Sequence, residues 1–335
     1  KLINDVLEMK RKIAIVAGGD SSEWQVSLRS AAGLMSFIGD EYEKFLVTIV
    51  GDRWQVEFAK DKKFPIDKND FSFVKDGEKQ TFDFAYITIH GTPGENGILQ
   101  GYFDLIKLPY SCCGVMAASV TFDKFACNQY LRTFGVNVSN SIWLRKGDLV
   151  DVEKIKTEIG LPCFIKPCDG GSSFGVTKVK SEDQILPAVE KAFAEGTSVM
   201  VEALMVGTEV TCGMYKTTQK EVVFPITEVV TDNEFFDYDA KYNNEDSKTV
   251  ISPELPAGKA EEIAEDAVKI FRALDGFGLS RVDFFMENGT NEIVFNEINT
   301  LPGFTSISMY PMLWEEKGMT KKELVSRLLE LAEQR

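Results

Sequence analysis

Apolar and polar positions along the chain fall into three successive textures. Lys12 to Ala17 is a short apolar run rich in β-branched residues, and it ends in Gly18-Gly19. Polar Asp20-Ser21-Ser22 follows, then Val26, Leu28, Ala31 and Leu34 return at near-helical spacing. That order reads as strand, glycine turn, helix. Further strands are expected at Phe45–Val50 and Ala85–Ile89, the second running into His90-Gly91-Thr92-Pro93-Gly94 ahead of a helix from about Gly97 to Ile106. Strands alternating with helices predict a parallel α/β domain, with ligands beyond the carboxyl ends of its strands.

The texture changes near residue 118. A helix over Phe122–Phe134 precedes short strands near Cys163–Lys166 and Val176–Lys180, a helix over Gln184–Ala194 and a strand at Ser198–Glu202. From about 205, long alternating runs at Glu209–Tyr215, Glu221–Val230, Leu279–Met286 and Glu292–Asn299 predict an antiparallel sheet. A helix over Lys259–Leu274 crosses between them, and the amphipathic Lys321–Ala332 follows. The expected domains are therefore 1–117, 118–204 and 205–335, with the eight residues before Met9 read as an extension outside the fold.

Charge then narrows the chemistry. The 335 residues carry 37 basic and 52 acidic side chains, a net charge of −15, and one histidine. A field of that sign repels polyanions, so nucleic acid and anionic membranes are not expected partners. A histidine-rich metal site is excluded, and any Ser–His or Cys–His mechanism has only His90 to use. No apolar run approaches the ~18 residues that span a bilayer, and Ile13–Ala17 is too short for the apolar region of a signal peptide. The default expectation is a cytoplasmic protein. Its six cysteines form no CxxC pair and are expected to be reduced.

Three elements can carry chemistry by residue type and spacing. In Asp169-Gly170-Gly171-Ser172-Ser173-Phe174-Gly175, shortly after Lys166, glycines let backbone N–H groups close around phosphate oxygens and serines add donors. A plain hairpin turn fits the same residues. The loop matches neither GxxxxGK[ST] nor GxGxxG, which counts against P-loop and nicotinamide readings. In the runs around Arg281-Val282-Asp283 and Glu297-Ile298-Asn299, alternation puts Arg281 with Asp283 and Glu297 with Asn299. Such an all-oxygen set suits magnesium, with phosphate oxygens and water completing the shell; the alternative is a solvated strand face. The turn Asn299-Thr300-Leu301-Pro302-Gly303 directly after it could offer a backbone N–H to a reacting centre, or be a simple Pro-Gly turn.

Taken in order, the motifs resemble the D-alanine–D-alanine ligase family of the ATP-grasp superfamily. The matching segments are Gly18-Gly19-x-Ser-x-Glu23-x-x-Val-Ser-Leu, His90-Gly91-x-x-Gly94-Glu95-x-Gly97-x-x-Gln100-Gly101, Lys166-Pro167 with Gly171-Ser172-Ser173-x-Gly175, Asp237-Tyr238-x-Ala-Lys241-Tyr242, Arg281-Val-Asp283-Phe and Glu297-Ile-Asn299-Thr-x-Pro-Gly303. They extend over about residues 12 to 330. The resemblance implies an N-terminal α/β domain that binds the first D-alanine, followed by a two-part ATP-grasp fold with the nucleotide between two antiparallel sheets.

It also implies site residues. Lys124, Lys166, Ser172, Ser173, Glu202, Glu209 and Lys241 match nucleotide contacts, and Asp283, Glu297 and Asn299 match ligands of two magnesium ions, for which manganese can substitute. Glu23, His90, Ser308 and Met309 match the amino-acid subsites, with Ser172 and Tyr242 linked to Glu23, and Arg281 and Gly303 stabilising the oxyanion. The implied reaction joins two D-alanines through an acyl phosphate to give a peptidoglycan precursor, in a homodimer, under a lid around Phe235–Ser247. D-lactate or another carboxylate–amine pair is the alternative, and a non-catalytic nucleotide binder a more distant one. The chain departs from the usual pattern in two places: Trp24-Gln25 after Glu23, and Ala203 where a lysine commonly follows the hinge glutamate. Tyr242 favours an amine nucleophile.

Overall fold

The structure is a computed structural model that describes residues 10–332 apart from 60, 172, 217–220, 224–225, 231–247, 252, 305–307 and 317. The chain divides into two compact units. One comprises residues up to 94, 98–112 and 303–335; the other comprises 95–97 and 113–302.

In the first unit, β1 (Arg11–Gly18) lies between parallel partners β2 (Tyr42–Val50) and β7 (Phe84–Ile87). Ile13 to Ala17 are all buried, as a central parallel strand covered on both faces requires. Helix α1 (Trp24–Phe37) buries Val26, Ala31 and Leu34 together with Ser27 and Ser30. Beyond β2 the sheet continues antiparallel through β3 (Arg53–Ala59), β4 (Lys62–Asp67), β5 (Ser72–Lys75) and β6 (Glu78–Gln80), in the order β6-β5-β4-β3-β2-β1-β7. The parallel arrangement expected from the alternation is thus confined to three strands, and four strands absent from the sequence reading extend it. An aromatic cluster fills the extension: Phe73 stacks on Phe82 at 5.6 Å, and Phe45 meets Phe58, Phe73 and Phe82 edge-on.

The second unit holds two antiparallel sheets. Helices α2 (Ile98–Ile106, in the first unit), α3 (Val115–Phe122) and α4 (Lys124–Arg132) precede them. The four-stranded sheet has the order β10-β9-β11-β8, from β8 (Ser141–Arg145), β9 (Cys163–Pro167), β10 (Thr177–Val179) and β11 (Ser198–Ala203). Its apolar face packs Ile165, Val199 and Val201 with Ile155 of α5 (Val152–Glu158) and Ile185 and Val189 of α6 (Ile185–Glu195).

The larger sheet has the order β15-β14-β12-β16-β17, with β13 also on β12. Its strands are β12 (Gly207–Lys216), β13 (Glu221–Val223), β14 (Thr227–Val230), β15 (Lys248–Ile251), β16 (Leu279–Glu287) and β17 (Ile293–Asn299). The run expected as one strand over Glu221–Val230 is described as two strands, β13 and β14. Helix α7 (Lys259–Ala273) covers Val210, Cys212, Val282 and Phe284 with Ile263, Ala267, Ile270 and Phe271.

Residues 303–335, placed by sequence in 205–335, fall in the first unit, and 118–204 shares a compact unit with the strands of the larger sheet. The physical reason for the first is α9 (Lys321–Ala332), which follows α8 (Met309–Glu316), buries Leu324, Leu328 and Leu331 and packs against α1. All six cysteines are buried and unpaired by disulfides. Among the described residues, no helix is long and apolar enough to cross a membrane.

Candidate functional site

Cross-strand partners share one face of a sheet, which fixes where the polar groups of the four-stranded sheet point. Glu202 stands opposite Ser141 and Phe164, and Lys166 opposite Met200, so Glu202 and Lys166 lie on the face away from the apolar core. Their side chains are almost fully buried, and Lys166 Nζ sits 2.5 Å from Glu202 Oε2. Ser139 Oγ donates to the other Glu202 oxygen. Burial alone would push the Lys166 ammonium down, but the Glu202 carboxylate, helped by Glu297, holds it above the usual lysine value.

Lys124 begins α4, whose N-terminus Asp123 caps by accepting from Ala126 N at 2.8 Å. Its ammonium donates to Gly170 O at 2.6 Å and its backbone N–H to Cys168 O at 2.9 Å, which ties the glycine-rich loop to α4. Within that loop Ser173 has φ +61°, a left-handed conformation that costs a serine on the order of 1 kcal/mol and concentrates at functional sites. The loop has the backbone and the cation that a phosphate cradle needs.

On the larger sheet, β12 and β16 pair Glu209 with Phe285, Thr211 with Asp283 and Gly213 with Arg281. On the other side, β17 pairs Glu297 with Asp283 and Asn299 with Arg281. Glu209, Thr211, Arg281, Asp283, Glu297 and Asn299 therefore share the face opposite α7. A register shift follows Asp283: Phe284 pairs with Phe295, and Asn296 is the extra residue. Under strict alternation Phe295 would lie with Glu297; the bulge sends it to the core against Phe284 while keeping Glu297 beside Asp283.

Arg281 grips Asp283 with two nitrogens, Nε to Oδ1 at 2.9 Å and Nη2 to Oδ2 at 2.8 Å, and reaches Glu297 Oε1 at 3.8 Å. Thr211 Oγ1 also donates to Asp283 Oδ1. Among the described residues, no three His, Cys, Asp or Glu side chains are grouped to hold a metal. The donor set is two adjacent carboxylates and the Asn299 amide, whose Oδ1 accepts from Leu301 N at 3.0 Å. That set fits magnesium, which keeps several waters and takes phosphate oxygens, and it does not fit a metal that demands a full protein cage. Glu297 acts electrostatically on both Lys166 and Cys127, so the polar faces of the two sheets influence one another within this unit.

The first unit carries a separate set. Gly18 and Gly19 have φ of +105° and +94°, and a Cβ on Gly18 would stand 2.6 Å from Ile49 O, so only glycine makes this turn. The turn delivers Ser21 and Glu23 to the start of α1. Ser21 Oγ donates to His90 O at 2.7 Å and accepts from Glu23 N at 3.2 Å. The Glu23 carboxylate, 7% exposed, makes no capping bond to its own helix. The His90 ring, 6% exposed, lies with Nε2 3.4 Å from Ser30 Oγ. Ser308 Oγ lies 2.9 Å from where a Cβ on Gly303 would be, and Met309 begins α8.

The structure thus groups Lys124, Lys166, Ser173, Glu202, Glu209, Arg281, Asp283, Glu297 and Asn299 in one unit, and Glu23, His90, Gly303, Ser308 and Met309 in the other. Ser172, Lys241, Tyr242 and the stretch 235–247 lie outside the described residues. Sequence reasoning missed two buried hydroxyls, Thr211 on Asp283 and Ser30 on His90. A signal for Ser30 existed: Glu23, Ser27 and Ser30 stand at i, i+4 and i+7 of one helix.

Comparison with known proteins gives a consistent picture. Family models described as D-ala D-ala ligase N-terminus and C-terminus match residues 12–113 and 130–330. The D-alanine--D-alanine ligase of Phocaeicola vulgatus is 55% identical over 323 residues, 96% of this chain and 99% of that protein. The Porphyromonas gingivalis protein of the same name is 45% identical over 96% of this chain and 98% of its own length. Among solved structures, D-alanyl-alanine synthetase A from Vibrio cholerae superposes with a TM-score of 0.86 at 29% identity, covering 96% of this chain and 98% of its own. The VanG D-Ala:D-Ser ligase from Enterococcus faecalis gives 0.85 at 30% identity, covering 96% and 99%.

Proposed function

The chain belongs to the D-alanine–D-alanine ligase family, and from that premise we propose how its residues divide the work. The protein is an ATP-dependent, ADP-forming ligase that joins two D-alanines into D-alanyl-D-alanine for peptidoglycan precursor synthesis, with ATP and magnesium. In our reading the nucleotide belongs to the second unit: Lys124, Lys166, Ser172, Ser173 and Lys241 meet the phosphates, Glu202 the adenine and Glu209 the ribose. Asp283, Glu297 and Asn299 would hold two magnesium ions, which would offset the negative charge of the transferring phosphate.

Glu23 holds the ammonium of the first D-alanine, supported by Ser172 and Tyr242, and His90 orients that substrate. Its carboxylate oxygen attacks the γ-phosphorus, the bond to the bridging oxygen of ADP breaks, and an acyl phosphate results. Ser308 and the Met309 backbone hold the carboxylate of the second D-alanine. Its amine, once deprotonated, attacks the acyl carbon, and Arg281 and the Gly303 N–H stabilise the oxyanion until phosphate leaves. The stretch 235–247 excludes water from the acyl phosphate. In this division the first unit serves the amino acids, and the second serves the nucleotide and the metal. A cytoplasmic homodimer completes the reading, and the charge of −15 supports the absence of nucleic-acid and membrane partners.

The observation that supports this division best is the Asp283–Glu297 cross-strand pair, with Arg281 on it and Lys166 within the field of Glu297. The test is phosphate release and product mass by spectrometry with D-alanine alone and with D-lactate or D-serine as second substrate. D-alanyl-D-alanine is expected to dominate, and Glu297→Gln is expected to lower turnover by roughly 100-fold or more. Near-normal turnover in Glu297→Gln refutes the ligand assignment, and a dominant ester or D-serine product refutes the second-substrate assignment.

A further inference from the structure

Ser30 lies on the buried side of α1, only 2% exposed, where an apolar residue would be expected. Its Oγ is 3.4 Å from His90 Nε2 and accepts from the Phe304 backbone N–H at 3.3 Å. One turn further along α1, Gly33 has no side chain, and a Cβ there would stand 2.6 Å from Phe304 O. Both polar atoms of the Phe304 backbone are therefore set against α1. Gly303, the residue before it, would carry a Cβ 4.0 Å from Ser30 Oγ and 2.9 Å from Ser308 Oγ.

We propose that Ser30 is a positioning residue: its hydroxyl clamps the His90 imidazole and the Gly303–Phe304 backbone to one point on α1, setting the orientation of both toward the D-alanine substrates. The inference rests on the assignment of His90 and Gly303 to the amino-acid subsites. Two groups that sequence places more than two hundred residues apart share a single oxygen. A hydroxyl offers two lone pairs and one proton, enough to accept from the Phe304 N–H and still engage the ring as donor or acceptor. Which ring nitrogen carries the proton is set by what the other one bonds, so Ser30 also biases the His90 tautomer. In a site closed to water, deleting the hydroxyl leaves the Phe304 N–H without its acceptor. Gly33 acts in the same device by letting the Phe304 carbonyl approach the helix.

The chain has one histidine, so its imidazole nitrogens are the only such signals in the protein and can be read by nitrogen-15 NMR without assignment. In Ser30→Ala the Nε2 resonance is expected to shift, kcat to fall about tenfold and the KM for ATP to stay within about twofold, as loss of one hydrogen bond to a positioned group predicts. Ser30→Thr, which keeps a hydroxyl, is expected to restore the resonance and most of kcat. Gly33→Ala, which displaces Phe304 without touching the ring, provides a second route and is expected to move the same resonance. An unchanged Nε2 resonance in folded Ser30→Ala overturns the clamp. A shifted resonance with wild-type kcat overturns the positioning role, as does an equal change in every kinetic constant together with a lowered melting temperature. Wild-type protein that makes no dipeptide would instead bring down the functional reading, while the resonance would still report on the contact.

Discussion

In the unit built on β8 to β17, the buried charges of the candidate site are held by counter-ions: Lys166 by Glu202, Asp283 by Arg281, with Glu297 3.8 Å from the same guanidinium. In the unit built on β1 to β7, neutral hydroxyls fasten the segments around the candidate site, although the Glu23 carboxylate is buried there as well. Ser27 Oγ accepts from Gly18 N at 2.9 Å, Thr88 Oγ1 donates to Val16 O at 3.0 Å, and Ser21 and Ser30 fasten the His90 segment. The difference follows the ligands assigned to each. Phosphates bring several negative charges at once, and a site with unpaired buried lysines and arginines would cost too much to fold. A zwitterionic amino acid needs one charge of each sign and accurate placement, which neutral hydrogen bonds supply at a lower desolvation cost.

The largest test of that contrast is Glu202→Ala, which strands the Lys166 ammonium in a buried position and is expected to cost about 3–5 kcal/mol in a denaturant melt. A loss under about 1 kcal/mol would mean that the pair contributes no more than a surface ion pair. Ser27→Ala in the other unit removes the acceptor of the Gly18 N–H and is expected to cost about 1–2 kcal/mol. If it equals or exceeds Glu202→Ala, the contrast between the ion pairs of one site and the hydroxyl contacts of the other fails.

The mildest probe is pH, because serine and threonine hydroxyls do not titrate in the accessible range. In the second unit, burial pushes the Cys127 thiol up to about 12 and those of Cys163 and Cys168 to about 11, from an ordinary 9.0. Folded thiols keep protons that unfolded ones lose, so stability is level near neutrality and falls as pH rises above about 9. Lys166, raised by Glu202, adds a loss of the same sign above 10.5. Thermal melts from pH 7 to 11 check this, and a midpoint that rises above pH 9 would contradict the sign.

Much of this was legible in the sequence where a pattern had a strong period. β1 and α1 follow from an unbroken apolar run, two glycines and Val26, Ala31 and Leu34. The facing of Arg281, Asp283, Glu297 and Asn299 followed from strand parity, and the structure places them on one face. Strands β4 to β6 escaped because they are short and rich in lysine and acid rather than alternating β-branched runs. The bulge at Asn296 escaped because one extra residue in a ladder leaves no mark in composition. Thr211 and Ser30 escaped for a different reason: a hydroxyl reads as solvent-facing until its neighbours are known to be buried. The grouping of 303–335 with the first unit depends on a contact between α1 and α9, from opposite ends of the chain, which local pattern does not encode.

That last contact carries a consequence for biosynthesis. The second unit is nearly continuous, from 113 to 302, so a ribosome releases all of its strands in one stretch and they can close while the remainder is still being made. The first unit brackets the second in chain order: β1 and α1 are made before residue 113, but α9, which packs against α1, is made only after residue 320. Until then the contact between α1 and α9 is unmade, so the first unit is the part of the protein that waits longest for its packing to be completed.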